Sequence, residues 1–224
     1  MEFNIKNSWD EITWREYEQI EQILNTDIPA TYKTVHLISI LSGHSVDDIE
    51  NLPITEFKRL TPALDFLNTE PDTHTHQFEY TVNGREYEFK GKIDEITTAQ
   101  YIDYRSYMEE EEKDVVKLMS VFLIPKGHDY NDGYDMEQVR TDIGDMCWLD
   151  VRAVSFFFRL WLAAYILILK SSLVEGMKKE MRGKKYTEKK RIREQIREME
   201  ESLDNSASSL LYYEFARYPI PPSM

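Results

Sequence analysis

The chain is short of the residues on which much recognisable chemistry depends. It has a single cysteine, Cys147, in 224 residues. No disulfide can close within it, no Cys-based metal cluster or CxxC redox pair can form, and a reducing compartment is expected. Only eight glycines are present, and no two stand close enough for a GxG pattern. The backbone cradles of the standard nucleotide-binding loops are therefore excluded. Serines occur outside any GxSxG context and the five histidines are scattered, so neither a nucleophile elbow nor a triad is legible. Residues 1–25 carry Trp9, Asp10, Glu11 and Glu16 where an export signal needs a basic start and an apolar run, so export is not expected.

A long uncharged run is also missing. Val151 to Lys170 looks apolar enough to span a bilayer, but Arg152 and Arg159 interrupt it. Leu160 to Leu169 is what remains uncharged, and a span needs about 18 or more such residues. The expectation is no membrane span but a buried helix, apolar nearly all round, in the middle of a bundle or against a partner subunit.

What is present is apolar matter in moderation and charge in excess. With 42% hydrophobic and 12% aromatic residues the chain is too apolar for wholesale disorder. With 30% charged it reads as soluble, and it is long enough to bury a core in one domain or two small ones. Its 41 acids and 27 bases give a net charge of -14, unevenly spread. Lys170 to Arg197 holds eleven bases against four acids, a local +7, and the remainder therefore sums to -21. The candidate contact residues are Lys178, Lys179, Arg182, Lys184, Lys185, Lys189, Lys190, Arg191, Arg193 and Arg197. They could grip nucleic-acid phosphates, dock on an acidic protein (a second copy included), or form a solvated helix face. Protein contact is favoured over nucleic acid: the acidic bulk repels a duplex, and Tyr186 is the one aromatic interleaved in the basic run.

Local signals order the chain as follows. Thr13-Trp14-Arg15-Glu16 has capping-box form and starts a helix carrying Tyr17, Ile20 and Leu24, with Ser8 and Glu11 as a competing start. A second helix opens after Asp27 and Pro29, bears Tyr32, Val35, Ile38 and Leu41, and ends at Gly43. Ser45 with Asp48 suggests a short third turn. Pro53 opens a fourth helix through Phe57, Leu60, Leu64 and Leu67 that Pro62 kinks or splits. The period then changes to two: residues 77–82 and 85–90 alternate around Asn83-Gly84, which predicts a hairpin with Tyr80 opposite Tyr87, Phe78 opposite Phe89, and Glu79 opposite Glu88. The glutamate face is either open to water or waiting for cations. Helix returns after Thr97. Val115 to Ile124 reads as a buried helix end or a short strand, Pro125 to Gly133 as a loop, and Met136 to Met146 as a helix. A long helix from about Asp150 to Arg182 follows, punctuated by Gly183. Ile192, Ile196, Met199 and Leu203 then mark the seam of a two-heptad coiled coil or a helical hairpin. Asn205 to Ser209 reads as a flexible linker.

Metal chemistry is weakly written. His74-Thr75-His76 places two imidazoles on one side of an extended chain without a third ligand, so solvated loop histidines are the plainer reading. His128 to Asp135 offers the oxygens a hard cation wants. Its glycine comes one position early for an EF-hand, however, and the bidentate Glu is missing, which leaves a turn rich in Asp, Asn and Gly. No metal, cofactor or catalytic residue is expected. The end of the chain, with Tyr212, Tyr213, Phe215, Tyr218, Pro219 and Pro221, suits an extended or polyproline segment lying in a partner's groove, or is a mobile terminus.

The fold class expected is α+β, mostly helical. An N-terminal helical module with an inserted hairpin (1–148) precedes a long helix or helical hairpin (149–204) and an extended tail (205–224). Asp10-Glu11-Ile12-Thr13-Trp14-Arg15-Glu16-Tyr17, then Ile38 to Gly43 and Val46 to Pro53, resemble the opening of tail assembly chaperone-like proteins of tailed bacteriophages. Val121 to Gly127 and Phe156-Phe157-Phe158 are similar to their second half. The acidic composition, bearing Tyr and Asn, also looks like virion proteins of crAss-like phages. The resemblance implies a non-enzymatic phage structural or assembly protein, a neck or tail subunit of ring or cargo type in the virion, assembled in the host cytoplasm with other phage proteins and copies of itself. The long basic helix and aromatic tail depart from the chaperone pattern and suit a subunit that stays in the particle. The alternative is a cytosolic chaperone that holds a tail or tape-measure protein and leaves.

Overall fold

The computed structural model describes residues 4–71, 77–91, 95–110, 114–182 and 184–217, with side chains described except at 157–162, 164, 165, 169 and 209–217. The chain is mostly helical with one small antiparallel sheet, and it divides into two units within a single long helix, the first ending at Ser155 and the second starting at Phe156.

In the first unit the capping boxes expected at Thr13 and Ser45 are made, whereas the Ser8 side chain makes no cap bond. The Thr13 hydroxyl accepts from the Glu16 amide and the Glu16 carboxylate accepts from the Thr13 amide, which starts α1 (Trp14–Asn25). The competing signal is also used, because Trp9–Glu11 forms a 3-10 turn after Ser8. Helix α2 (Ala30–Ser42) stops at Gly43, whose φ of 70° is left-handed and cheap only for glycine. Its buried stripe is Val35, Leu37, Ile38 and Leu41, whereas Tyr32 lies exposed. Ser45 and Asp48 box α3 (Val46–Glu50). Pro62 splits the fourth segment into α4 (Ile54–Leu60) and a 3-10 stretch, Thr61–Asn68.

The hairpin forms in the predicted register. Strands β1 (Glu79–Val82) and β2 (Arg85–Phe89) pair Tyr80 with Tyr87 and Glu79 with Glu88 around Asn83 (φ 51°) and Gly84 (φ 75°). Tyr80, Val82, Tyr87 and Phe89 point into the core. Phe78 precedes the strand and stays exposed, although its carbonyl still accepts from the Phe89 amide at 2.8 Å. Val115 to Ile124 proves to be both alternatives, a helix α6 (Val115–Ser120) followed by the third strand β3 (Leu123–Pro125), which pairs with β2. Between them in the chain, α5 (Thr98–Glu109) starts on a Thr97–Gln100 box.

Two helix starts are clasped together. The Trp14 amide donates to the Met146 carbonyl at 2.8 Å and the Trp148 amide to the Ile12 carbonyl at 2.9 Å, a single antiparallel bridge through Thr13 and Cys147. The clasp ties α1 to the junction between α7 (Met136–Asp145) and α8 (Trp148–Glu180). Around it Tyr17 stacks on Trp148 with centroids 4.3 Å apart, and Trp9 meets the same ring edge-on. Arg152, the first charge in the apolar stretch, lies over the Trp148 ring at 5.6 Å, a cation–π seat that explains its place there.

The second unit is a helical hairpin of α8 and α9 (Tyr186–Arg217). Val174, Ile192 and Ile196 form its core, with Met177, Met181 and Met199 packed against them, and Lys170 Nζ donates to both Asp204 carboxylate oxygens at 2.6 and 2.7 Å. Gly183 lies outside the described residues. The expected linker and extended tail need correction: Asn205 to Ser209 and the backbone of Tyr212, Tyr213 and Phe215 belong to α9. Ala207, buried, continues the line of Ile192, Ile196, Met199 and Leu203, and no glycine or proline stands between Lys184 and Tyr218 to break the helix. Serine content alone misdirected the reading. Ala207→Glu should cost the hairpin about 2 kcal/mol by forcing a charge into the seam, while Ser208→Glu on the exposed side changes stability by less than about 0.5 kcal/mol. Urea unfolding of each variant checks this.

Candidate functional site

The basic stretch is where the hairpin turns. Lys178 and Lys179 close α8, Arg182 lies in the turn, Lys184 and Lys185 lead into α9, and Lys189, Lys190, Arg191, Arg193 and Arg197 follow along its first half. All are exposed except the half-buried Lys189. The fold therefore brings together in one hairpin what the sequence strings along 20 residues. Among the described residues no ion pair within the chain engages any of these ten, whereas Lys170 is held by Asp204. Earlier along α8, Phe156, Leu167, Ile168 and Leu173 are 43 to 64% exposed. Of the tail residues, Tyr212, Tyr213 and Phe215 lie on helical backbone, and Tyr218, Pro219 and Pro221 fall outside the described residues, as do His74 and His76.

The charges of the first unit contrast with this. The glutamate face of the sheet finds its cations in its own chain: Lys126 Nζ reaches Glu79 at 2.9 Å and Glu86 at 3.8 Å. Lys90 Nζ reaches Glu88 at 3.2 Å and Asp129 at 3.1 Å. Burial would push the Glu88 carboxyl up, but the Gly127 amide and Lys90 outweigh it and hold Glu88 below the ordinary range. The suspected cation loop is likewise spent on structure, with Asp129 on Lys90, Asp132 3.5 Å from His128, and Asp135 capping α7. Among the described residues no cluster of three or more His, Cys, Asp or Glu is arranged to hold a metal, and no helix is long and apolar enough to cross a membrane.

One buried charge was not anticipated. Asp142 of α7 is completely enclosed and accepts from four side chains: Tyr87 Oη, Arg85 Nη1 at 3.0 and 3.2 Å, Asn83 Nδ2 at 3.0 Å and Gln138 Nε2 at 3.1 Å. The signal was its place in the apolar line Val139, Asp142, Ile143, Met146. Burial pushes its carboxyl up, the donated hydrogen bonds overcome this, and the group stays below the usual Asp range. Fully satisfied in this way, it locks the hairpin turn to α7 and leaves no acceptor free for chemistry. Tyr80 on the inner face is pushed up to about 12, chiefly by burial.

A cleft of about 750 Å³ lies beside the sheet, lined by Phe78, Glu88, Lys90, Thr97, Gln100 and Tyr130 among others. Its polar groups are engaged: Gln100 donates to the Lys90 and Val121 carbonyls at 3.3 and 3.0 Å, and Tyr130 donates to Asp103 at 2.6 Å. Comparison of the chain with protein-family models, curated proteins and solved structures found no match.

Asp142→Ala should destabilise the first unit by about 3 kcal/mol, since Tyr87, Asn83 and Gln138 lose a charged acceptor. Because the Asp142 pKa is depressed in the fold, its contribution is present above the ordinary value of about 3.9 and lost as pH falls through the folded value. Asp142→Asn should accordingly flatten the acid side of a stability–pH profile followed by thermal denaturation.

Proposed function

We propose that the chain is a non-enzymatic structural or assembly protein of a tailed bacteriophage, a neck or tail subunit that stays in the virion and acts by protein–protein contact. The observation that carries this reading is the hairpin: its ten exposed or half-exposed bases lack counter-ions from their own chain among the described residues, on a chain of net charge -14. A uniformly acidic protein repels its copies, whereas one with a concentrated basic face can join unlike surfaces. The exposed Phe156, Leu167, Ile168 and Leu173 add apolar area that a neighbouring subunit covers in this reading. The motif residues that resemble phage proteins, Thr13, Glu16, Gly43, Asp48 and Pro53, serve as caps and helix boundaries, so the likeness supports a shared fold pattern rather than a shared site.

Mass spectrometry of purified particles tests the proposal. A retained subunit is found at a stoichiometric level, and replacing Lys184, Lys185, Lys189 and Lys190 with Glu removes it from particles while far-ultraviolet circular dichroism stays unchanged. Absence of the wild-type chain from particles contradicts retention and favours the chaperone that departs.

A further inference from the structure

Helix α9 carries its charges in an order that is complementary to itself. Its first half is basic and its second, from Glu198 to Asp204, is acidic. About a point between Gln195 and Ile196, every charge in residues 190–201 has an opposite charge at the mirrored position: Lys190 with Glu201, Arg191 with Glu200, Arg193 with Glu198, and Glu194 with Arg197. Four of these, Lys190, Glu194, Arg197 and Glu201, step by four, three and four, and all are exposed. The apolar line toward α8, Ile192, Ile196, Met199 and Leu203, has the same steps two residues later. The charged line is therefore rotated about 200° from it and occupies the opposite face of the helix.

We propose that this face pairs with the same face of a second copy, antiparallel, about a two-fold axis between Gln195 and Ile196. The inference rests on the reading of the hairpin as an assembly surface and names its occupant. A two-fold interface needs a self-complementary patch, and mirrored charges of opposite sign on one helix face supply one. A parallel, in-register pairing instead sets Lys190 against Lys190 and Glu201 against Glu201. Within one chain Lys190 and Glu201 are roughly 16 Å apart along the axis, so α9 cannot neutralise that pair by itself. Among the described residues neither is ion-paired. The acidic half also carries a shallow depression lined by Glu198, Glu201, Ser202, Asn205 and Ser206, at the level that Lys190 of a second copy reaches.

The test uses the full chain, with self-association at low salt followed by light scattering. Each dimer contains the Lys190–Glu201 pair twice, so Lys190→Glu or Glu201→Lys alone should weaken association roughly tenfold by turning two attractions into repulsions. An equimolar mixture of the two variants restores both pairs, as does the double variant, and each should recover wild-type association. A wild-type chain that stays monomeric, or a mixture that associates no better than either variant alone, overturns the proposal. So does binding to duplex DNA that Lys190→Glu abolishes while the mixture shows no recovery, since that gives the stretch to phosphates. Recovery in the mixture together with a wild-type chain absent from particles would leave the pairing standing and contradict the phage-subunit reading instead.

Discussion

Like charge crowded at the turn of the α8–α9 hairpin is the constraint from which the functional account follows. Both arms of the turn are basic, so the fold multiplies a repulsion that the linear sequence only spaces out. Near the turn, the described seam that holds the arms together sets three buried aliphatic side chains against three methionines, whose unbranched, adaptable thioethers fill gaps between them. At physiological ionic strength repulsion is screened beyond about 8 Å, so the hairpin tolerates its charge, but anionic surface brought to it gains at close range.

The first unit handles charge in the opposite way. Its sheet glutamates are neutralised by Lys90 and Lys126, and Asp142 by four donors. These internal pairings hold strands to helices, with the Thr13–Cys147 clasp fixing where α1 meets the start of α8. The polar groups in these pairings are committed to architecture. In the hairpin, by contrast, the ten bases from Lys178 to Arg197 have no ion pair within the chain among the described residues.

Much of this was legible one residue at a time. Caps such as Thr13 and Ser45, the left-handed stop at Gly43, the Pro62 split and the Asn83-Gly84 turn act through local geometry, and local geometry is written in adjacent residues. The third strand was half seen, because Leu123 to Pro125 is too short to show a period. Asp142 was missed for a different reason: three of its four partners come from a turn and strand some 55 to 59 residues away, a distance no spacing rule spans. The serine-rich run at 205–209 was misjudged because composition spoke for a linker, while Ala207, at the seam position, decided for helix. At the candidate site the basic stretch was readable as composition. Its gathering onto two arms of a hairpin, and the absence of internal partners for it among the described residues, became visible only in three dimensions.

On the proposed pairing, charge segregated in this way drives association between copies. Sedimentation equilibrium of the full chain across a salt series measures it directly. The pairing requires a mass above that of the 26.7 kDa monomer at low salt, falling to the monomer as salt screens it. A monomer at every salt concentration, or an oligomer indifferent to salt, would contradict it.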